Sequence, residues 1–139
     1  IFVVNKAMTL RAFRGRLYCV PESVSGRFDS ERIFDWRGGE CEISGLGRLS
    51  SSAGGKFVPR GNMTVRFRHG GERCRIAGHA HSKSLKNLLQ ESVPPWRRDI
   101  LPLIYCDDEL AAIADIAICE GFWAADQEVG LILHWRWSR

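Results

Sequence analysis

No apolar run in this 139-residue chain approaches the ~18 residues a helix needs to cross a bilayer, so no membrane span is expected. The opening Ile1–Val4 gives way at once to Asn5 and Lys6, too soon for the apolar core of a secretion signal. Position 1 is Ile rather than Met, which allows for a piece of a longer chain. Cysteine pairs at C-x-x-C spacing are missing: Cys19, Cys41, Cys74, Cys106 and Cys119 are odd in number and widely spread. Reduced thiols in the cytoplasm are the expectation. Most of these cysteines sit in apolar, strand-like stretches, where a buried inert thiol is the default. A phosphate-cradling G-x-x-x-x-G-K-[ST] loop is missing too, because Lys56 follows Gly54 and Gly55 but precedes Phe57.

Catalytic constellations are equally scarce. No cysteine carries a nucleophile motif. Asp107-Asp108-Glu109 reads as a charged hairpin turn rather than a catalytic pair. Cys74, His79 and His81, with Cys41 as a distant fourth, are the only candidate zinc set. Structural zinc sites show two tight ligand pairs, and here only His79-x-His81 is tight. Catalytic, cofactor-binding and metal-binding residues are therefore not expected in this chain.

What the chain does have is an ordinary globular composition, 45% apolar and 26% charged, which excludes wholesale disorder. Its length suits one domain or two very small ones and can bury roughly 68% of the unfolded surface. The net charge of +4 is unevenly spread. Residues 1–55 hold 8 Lys/Arg against 6 Asp/Glu, residues 56–100 hold 10 against 3, and residues 101–139 hold 2 against 7. A concentrated basic block is the footprint of a polyanion partner, or else a solvated face that keeps the domain soluble.

Residues 10–20 are β-prone around a break at Gly15, and the strand ends by Pro21. Residues 21–32 read as a polar loop, and Ile33–Trp36 as a short strand stopped by Gly38-Gly39. Residues 44–62 contain five glycines and four serines and read as the most linker-like stretch. Met63, Val65 and Phe67 alternate with Thr64, Arg66 and Arg68. After the His69–Glu72 turn, Arg73, Cys74, Arg75 and Ile76 alternate again. This predicts a β-hairpin with Arg66, Arg68, Arg73 and Arg75 on one face, in a register that a one-residue slip would split. Four guanidinium groups on one ribbon favour an anionic partner.

Residues 82–92 predict the main helix, with Ser82 as N-cap. Leu85, Leu88 and Leu89 form its apolar stripe, and Lys83, Lys86, Asn87 and Gln90 the opposite face. Lysines in the first turns oppose the helix dipole, and a phosphate there would reverse the sign. An ordinary surface pair is the alternative. Pro94 and Pro95 stop this helix and open a short second one carrying Trp96, Arg97 and Arg98. Trp96 fits a core plug better than a base-stacking platform. Leu103–Cys106, Leu110–Cys119 and residues 130–137 read as a buried antiparallel set.

Three blocks within residues 63–123, VRFRHGGERCRIAGH, HSKSLKNLLQE and VPPWRRDILPLIYCDDELAAIADIAICEGF, resemble the C-terminal region of the bacterial tRNA(Ile)-lysidine synthetases in order and spacing. The resemblance implies a β-rich α+β domain: antiparallel hairpins forming a small sandwich of unusual topology, with one main helix packed beside it. A similar domain occurs in the phenylalanyl-tRNA synthetase β-subunit. Residues 1–62 then read as a variable β-rich lead-in and linker, and residues 63–139 as the C-terminal domain. The family joins lysine to the wobble cytidine of a minor isoleucine tRNA, using ATP and Mg in an N-terminal catalytic domain marked S-G-G-x-D-S. That motif is not in this chain, so a chain inactive alone is expected.

The implied role is recognition of the tRNA body and acceptor stem, with that tRNA and the catalytic domain as partners. The implied RNA contacts are Arg66, Arg68, Arg73, Arg75, Lys83, Lys86, Arg97 and Arg98. Ile76, His79 and Asp115 stand where the family pattern has Pro, Arg and Gly. His79 weakens that loop as a phosphate contact, and Asp115 puts an acid into a strand. Two alternatives are a stand-alone protein–protein interaction domain that has kept the fold and, least favoured, a small metal-dependent enzyme.

Overall fold

Apolar alternation decides which face of each strand enters the core, and pairing decides which strands meet. Both are visible in the computed structural model, which describes residues 2–5, 8–21, 31–90 and 92–138. Strands β1 (Phe2–Asn5), β2 (Met8–Phe13) and β3 (Arg16–Pro21) form an antiparallel three-stranded sheet in that order. The expected break at Gly15 is the β2–β3 turn, where Arg14 and Gly15 both take positive φ, 49° and 76°. Most of the polar loop expected after Pro21 lies outside the described residues.

The largest sheet is built from β4 (Phe34–Trp36), β7 (Met63–Arg66), β10 (Leu103–Cys106), β11 (Glu109–Ile113) and β12 (Ala117–Ile118). Its order is β12-β11-β10-β7-β4, antiparallel throughout. The β10–β11 hairpin turns at Asp107, at φ 53°, as the acidic triplet suggested. The stretch from Leu110 to Cys119 is not one strand, however. A turn at Ala114–Ile116 divides it, with Ala114 at φ 43° and Asp115 exposed. The acid that a strand could not have buried sits on a turn.

The Gly/Ser-rich stretch is not a linker. Gly47–Gly55 is β6, the longest strand, paired with β5 (Cys41–Ile43) on one side and β13 (Gly130–Trp137) on the other. Small residues fit there because the partner comes close. A Cβ on Gly47 would fall on the Arg136 carbonyl and within 2.9 Å of the Trp135 ring. One on Gly55 would fall on the backbone of Leu131. The composition that resembles a flexible tether is what close strand packing requires. β13 consequently leaves the other C-terminal strands and joins β6. One core cluster runs through both sheets, from Ile43, Leu49 and Phe57 to Val65, Ile104, Ile113 and Trp135.

Helix α1 is shorter than the apolar stripe suggests, covering Leu85–Leu89. Leu85 and Leu89 are buried, and Lys86, Asn87 and Gln90 exposed, as the spacing predicts. The N-cap is Ser84, not Ser82: Ser84 Oγ accepts from the Asn87 N–H at 3.3 Å. Residues 83–84 have become a strand, β9 (Lys83–Ser84), paired with β8 (Arg73–Cys74). Pro95 opens α2 (Pro95–Arg98) as its first residue. Arg98 folds back over the end of α1, donating to the Val93 and Gln90 carbonyls at 2.8 Å each. It supplies the donors that the prolines interrupt. Trp96 packs edge-on against Phe13, ring centroids 6.3 Å apart.

One ion pair closes the loop before β13. Arg60 holds Glu128 through bonds of 2.7 and 2.9 Å, and the Ala125 N–H donates to the same carboxylate at 2.9 Å. The guanidinium, followed by that N–H, holds the carboxyl down at about 2. A carboxylate depressed on folding adds stability that is complete above its ordinary value near 4.5 and fades as pH falls towards 2.

Three outcomes follow. Gly47→Ala should cost roughly 1–3 kcal/mol through overpacking against Trp135 and β13, read as a lower midpoint in urea. Arg98→Ala should cost about 1–3 kcal/mol by leaving two carbonyls without their charged donor, in the same measurement. In Glu128→Gln, the Tm deficit against the parent should be full at neutral pH and close as pH falls through the window from about 4.5 to about 2. A deficit independent of pH would show that the carboxylate's charge is not what stabilises the loop.

Candidate nucleic-acid interface

The basic block does not form the ribbon that its alternation suggests. β7 pairs with β4 and β10, whereas β8 pairs with β9 in a separate two-stranded ribbon. The turn between β7 and β8 is pinned by its own acid. Glu72 accepts from the N–H groups of His69 and Gly70, at 2.7 and 2.9 Å. Burial alone would raise the Glu72 carboxyl; those N–H groups and the charge of Arg68 outweigh it and hold it below its ordinary value. The Glu72 carbonyl also accepts from the Leu85 N–H at 3.0 Å, tying the turn to α1. A turn used this way cannot also lay β8 beside β7.

The eight basic residues consequently divide by what neutralises them. Arg66 is half-buried, donates to the Asp107 carbonyl and Asp108 Oδ1 at 3.1 and 3.2 Å, and lies 4.5 Å from the Tyr105 ring centre. Arg68 pairs with Asp99 at 3.6 Å, its side chain only 17% exposed. Arg97 lies over the Trp137 ring at 4.7 Å, and Arg98 is committed to the end of α1. These four hold the domain's own acids, rings and carbonyls.

The other four are different. Arg73, Arg75, Lys83 and Lys86 are exposed; Arg73, Lys83 and Lys86 belong to β8, β9 and α1, and Arg75 directly follows β8, with Arg73 across from Ser84. Arg73 is steadied by Ser82, Oγ at 3.3 Å and carbonyl at 3.1 Å. Arg75 donates to the His79 carbonyl at 2.8 Å. These acceptors are neutral, so they orient the guanidinium groups and leave their charge uncompensated. Among the described residues no carboxylate forms an ion pair with any of the four. Preorganised, exposed, unneutralised cations suit the capture of phosphates. α1 adds little as a dipole, being five residues long with Ser84 already on its Asn87 N–H.

The residues of the conceivable zinc set are kept apart. Cys74 is buried, whereas His79 and His81 are exposed in the loop before β9. Among the described residues no three His, Cys, Asp or Glu side chains converge as metal ligands would. The positions that depart from the expected pattern are accommodated: Ile76 bridges Cys119 across the strands, and His79 serves Arg75 through its carbonyl. Two features escaped the sequence altogether, the capping role of Arg98 and the meeting of Cys74 with Cys119. Neither has a local signal, because each partner lies in another element. Elsewhere, Ile116, Trp123 and Ile132 edge an apolar cleft of about 350 Å³ and are each more than 40% exposed. No described helix is long and apolar enough to cross a membrane.

Comparison with known proteins adds the family. Residues 63–137 match the TilS substrate C-terminal domain. The tRNA(Ile)-lysidine synthase of Coxiella burnetii is 51% identical over 69 residues, covering 49% of this chain and 15% of that protein. That of Serratia proteamaculans is 36% identical over 132 residues, covering 91% and 30%. That of Methylococcus capsulatus is 32% identical over 136 residues, again covering 91% and 30%. The chain thus spans about 30% of the length of the relatives it matches nearly throughout. A crystal structure of a TilS C-terminal domain superposes with a TM-score of 0.61 at 19% identity, over 78% of this chain and 98% of that one, a likeness of fold. With more than half of its residues matched by one domain family and its antiparallel sheets superposing on a solved example, the chain belongs to the TilS substrate C-terminal domain family.

Proposed function

We propose that this chain is the tRNA-recognition portion of a tRNA(Ile)-lysidine ligase, gripping the acceptor stem and body of a minor isoleucine tRNA in the cytoplasm. The observation that carries this is the set of four exposed cations, Arg73, Arg75, Lys83 and Lys86, on one small unit with no carboxylate pairing them among the described residues. Double-stranded RNA hides its base edges in a deep major groove, so a domain of this kind reads phosphates, 2′-hydroxyls and shape. Arg73 and Arg75 offer planar, oriented donors, and Lys83 and Lys86 mobile point charges. Arg66, Arg68, Arg97 and Arg98 act behind this surface, holding its scaffold. Lysine transfer, with its ATP and Mg, belongs to the catalytic domain that carries S-G-G-x-D-S. That domain is the second partner, and it adds affinity through effective concentration.

The test is a titration against the minor isoleucine tRNA at several salt concentrations, with elongator methionine tRNA as competitor. Arg73→Ala and Lys86→Ala should each weaken binding and lower the slope of log K against log salt by about 0.7–1, with the fold intact. Arg98→Ala should keep the parental slope. Unchanged slopes in both surface variants would remove this unit from the interface. The apolar cleft around Trp123 would then favour the alternative, a protein-interaction domain.

A further inference from the structure

Two thiols that nothing in the sequence pairs lie side by side in the core. Cys74 sits on β8 between Arg73 and Arg75, and Cys119 directly follows β12. Both are buried, at 3% and 4% exposure, in the same apolar cluster. The backbone around them forms a short antiparallel seam. Ile76 bridges Cys119, the Glu120 N–H donates to the Arg75 carbonyl at 2.7 Å, and the Ala77 N–H donates to the Ile118 carbonyl at 3.0 Å. Cys74 is two residues from Ile76 and shares its face, which makes it the diagonal neighbour of Cys119. The two thiols are close enough across that diagonal for each to act on the other. Both are free thiols.

We propose that Cys74 and Cys119 are a modification site, an oxidisable dithiol that a small-molecule disulfide such as oxidised glutathione converts into a cross-link between β8 and the five-stranded sheet. The order of events follows from access. Cys74 lies on the two-residue strand β8, the part that local opening uncovers first, so it is the thiol that meets the reagent and, once deprotonated, the attacking thiolate. It breaks the S–S bond of the small disulfide, forms a mixed disulfide, and expels one glutathione thiolate, which takes up the proton Cys74 lost. Cys119 then gives up its proton, attacks the Cys74 sulfur and expels the second glutathione. Two protein thiols are oxidised and one small disulfide is reduced to two thiols. Access comes through opening of the β8–β9 ribbon, only two residues per strand, the kind of element that opens locally without global unfolding. None of this depends on whether the ribbon binds RNA.

The experiment exposes the full chain to oxidised glutathione, blocks remaining thiols with iodoacetamide, and maps peptides without reduction. The expected product joins Cys74 to Cys119, is lost in Cys74→Ser and in Cys119→Ser, and raises Tm by roughly 5–15 °C until reductant is added. Alkylated Cys74 and Cys119 beside glutathionylated Cys41 would overturn the proposal. So would a lasting glutathione adduct on Cys74 with Cys119 alkylated, since contact should resolve it. Where a serine variant fails to fold, the parental map decides alone.

Discussion

The pairing of β6 with β13 is the constraint on which the rest of this fold rests. It runs from Gly130 opposite Gly55, through a one-residue register shift, then from Leu131 opposite Ala53 to Trp137 opposite Gly47, and the Ser138 N–H closes its far end on the Leu46 carbonyl at 2.8 Å. The two strands are distant in sequence, so meeting costs loop-closure entropy before any contact forms. That cost is offset by buried area: Leu49, Phe57 and Trp135 are at most 9% exposed. Glycine makes the pairing possible, because a side chain at position 47 would strike the Trp135 ring. Once the strands are joined, everything between them is confined to one loop, and the five-stranded sheet and α1 condense on the same core.

Within that frame, electrostatics sorts the cations by their neighbours rather than by their spacing. Arg66 and Arg68 alternate correctly for a polar face, yet the face they occupy already carries Asp108 and Asp99. Asp108 of the acidic C-terminal third, and Asp99 of the basic block itself, are thus spent on the molecule's own arginines. β8, β9 and α1 lie beyond the reach of those acids, so their charge remains available. An exposed pair of opposite charges contributes little to stability, so leaving Arg73, Arg75, Lys83 and Lys86 without acid partners among the described residues costs the fold little.

Much of the local structure was legible in the sequence, and most of the pairing was not. The alternation of residues 63–68, the Asp107 turn, the stripe of Leu85 and Leu89, and Pro95 as first residue of α2 all follow from periods and backbone restrictions that act over a few residues. The partner of β8 does not. Alternation states which side chains share a face but not which strand lies alongside, and Glu72 settled that by folding the turn onto itself. Composition misled at β6, because glycine and serine signal flexibility only where nothing packs against them. The four cations left exposed were within the set the sequence named; the acids that neutralise the others come from strands it could not place beside them.

The basic unit is attached to the core by the Arg75 carbonyl to Glu120, the Ala77 N–H to Ile118, and the buried side chains of Leu85, Leu89 and Cys74. All of these use backbone or buried side chains. The four exposed cations take part in none of them through their charges. Exposed charge and folding core are therefore separable in this domain, since charge on β8 and α1 can change without disturbing Leu85, Leu89 or Cys74 beneath it. The β6–β13 pairing and the five-stranded sheet therefore hold the scaffold constant whatever charge the exposed side chains of β8, β9 and α1 carry, because neither pairing uses them.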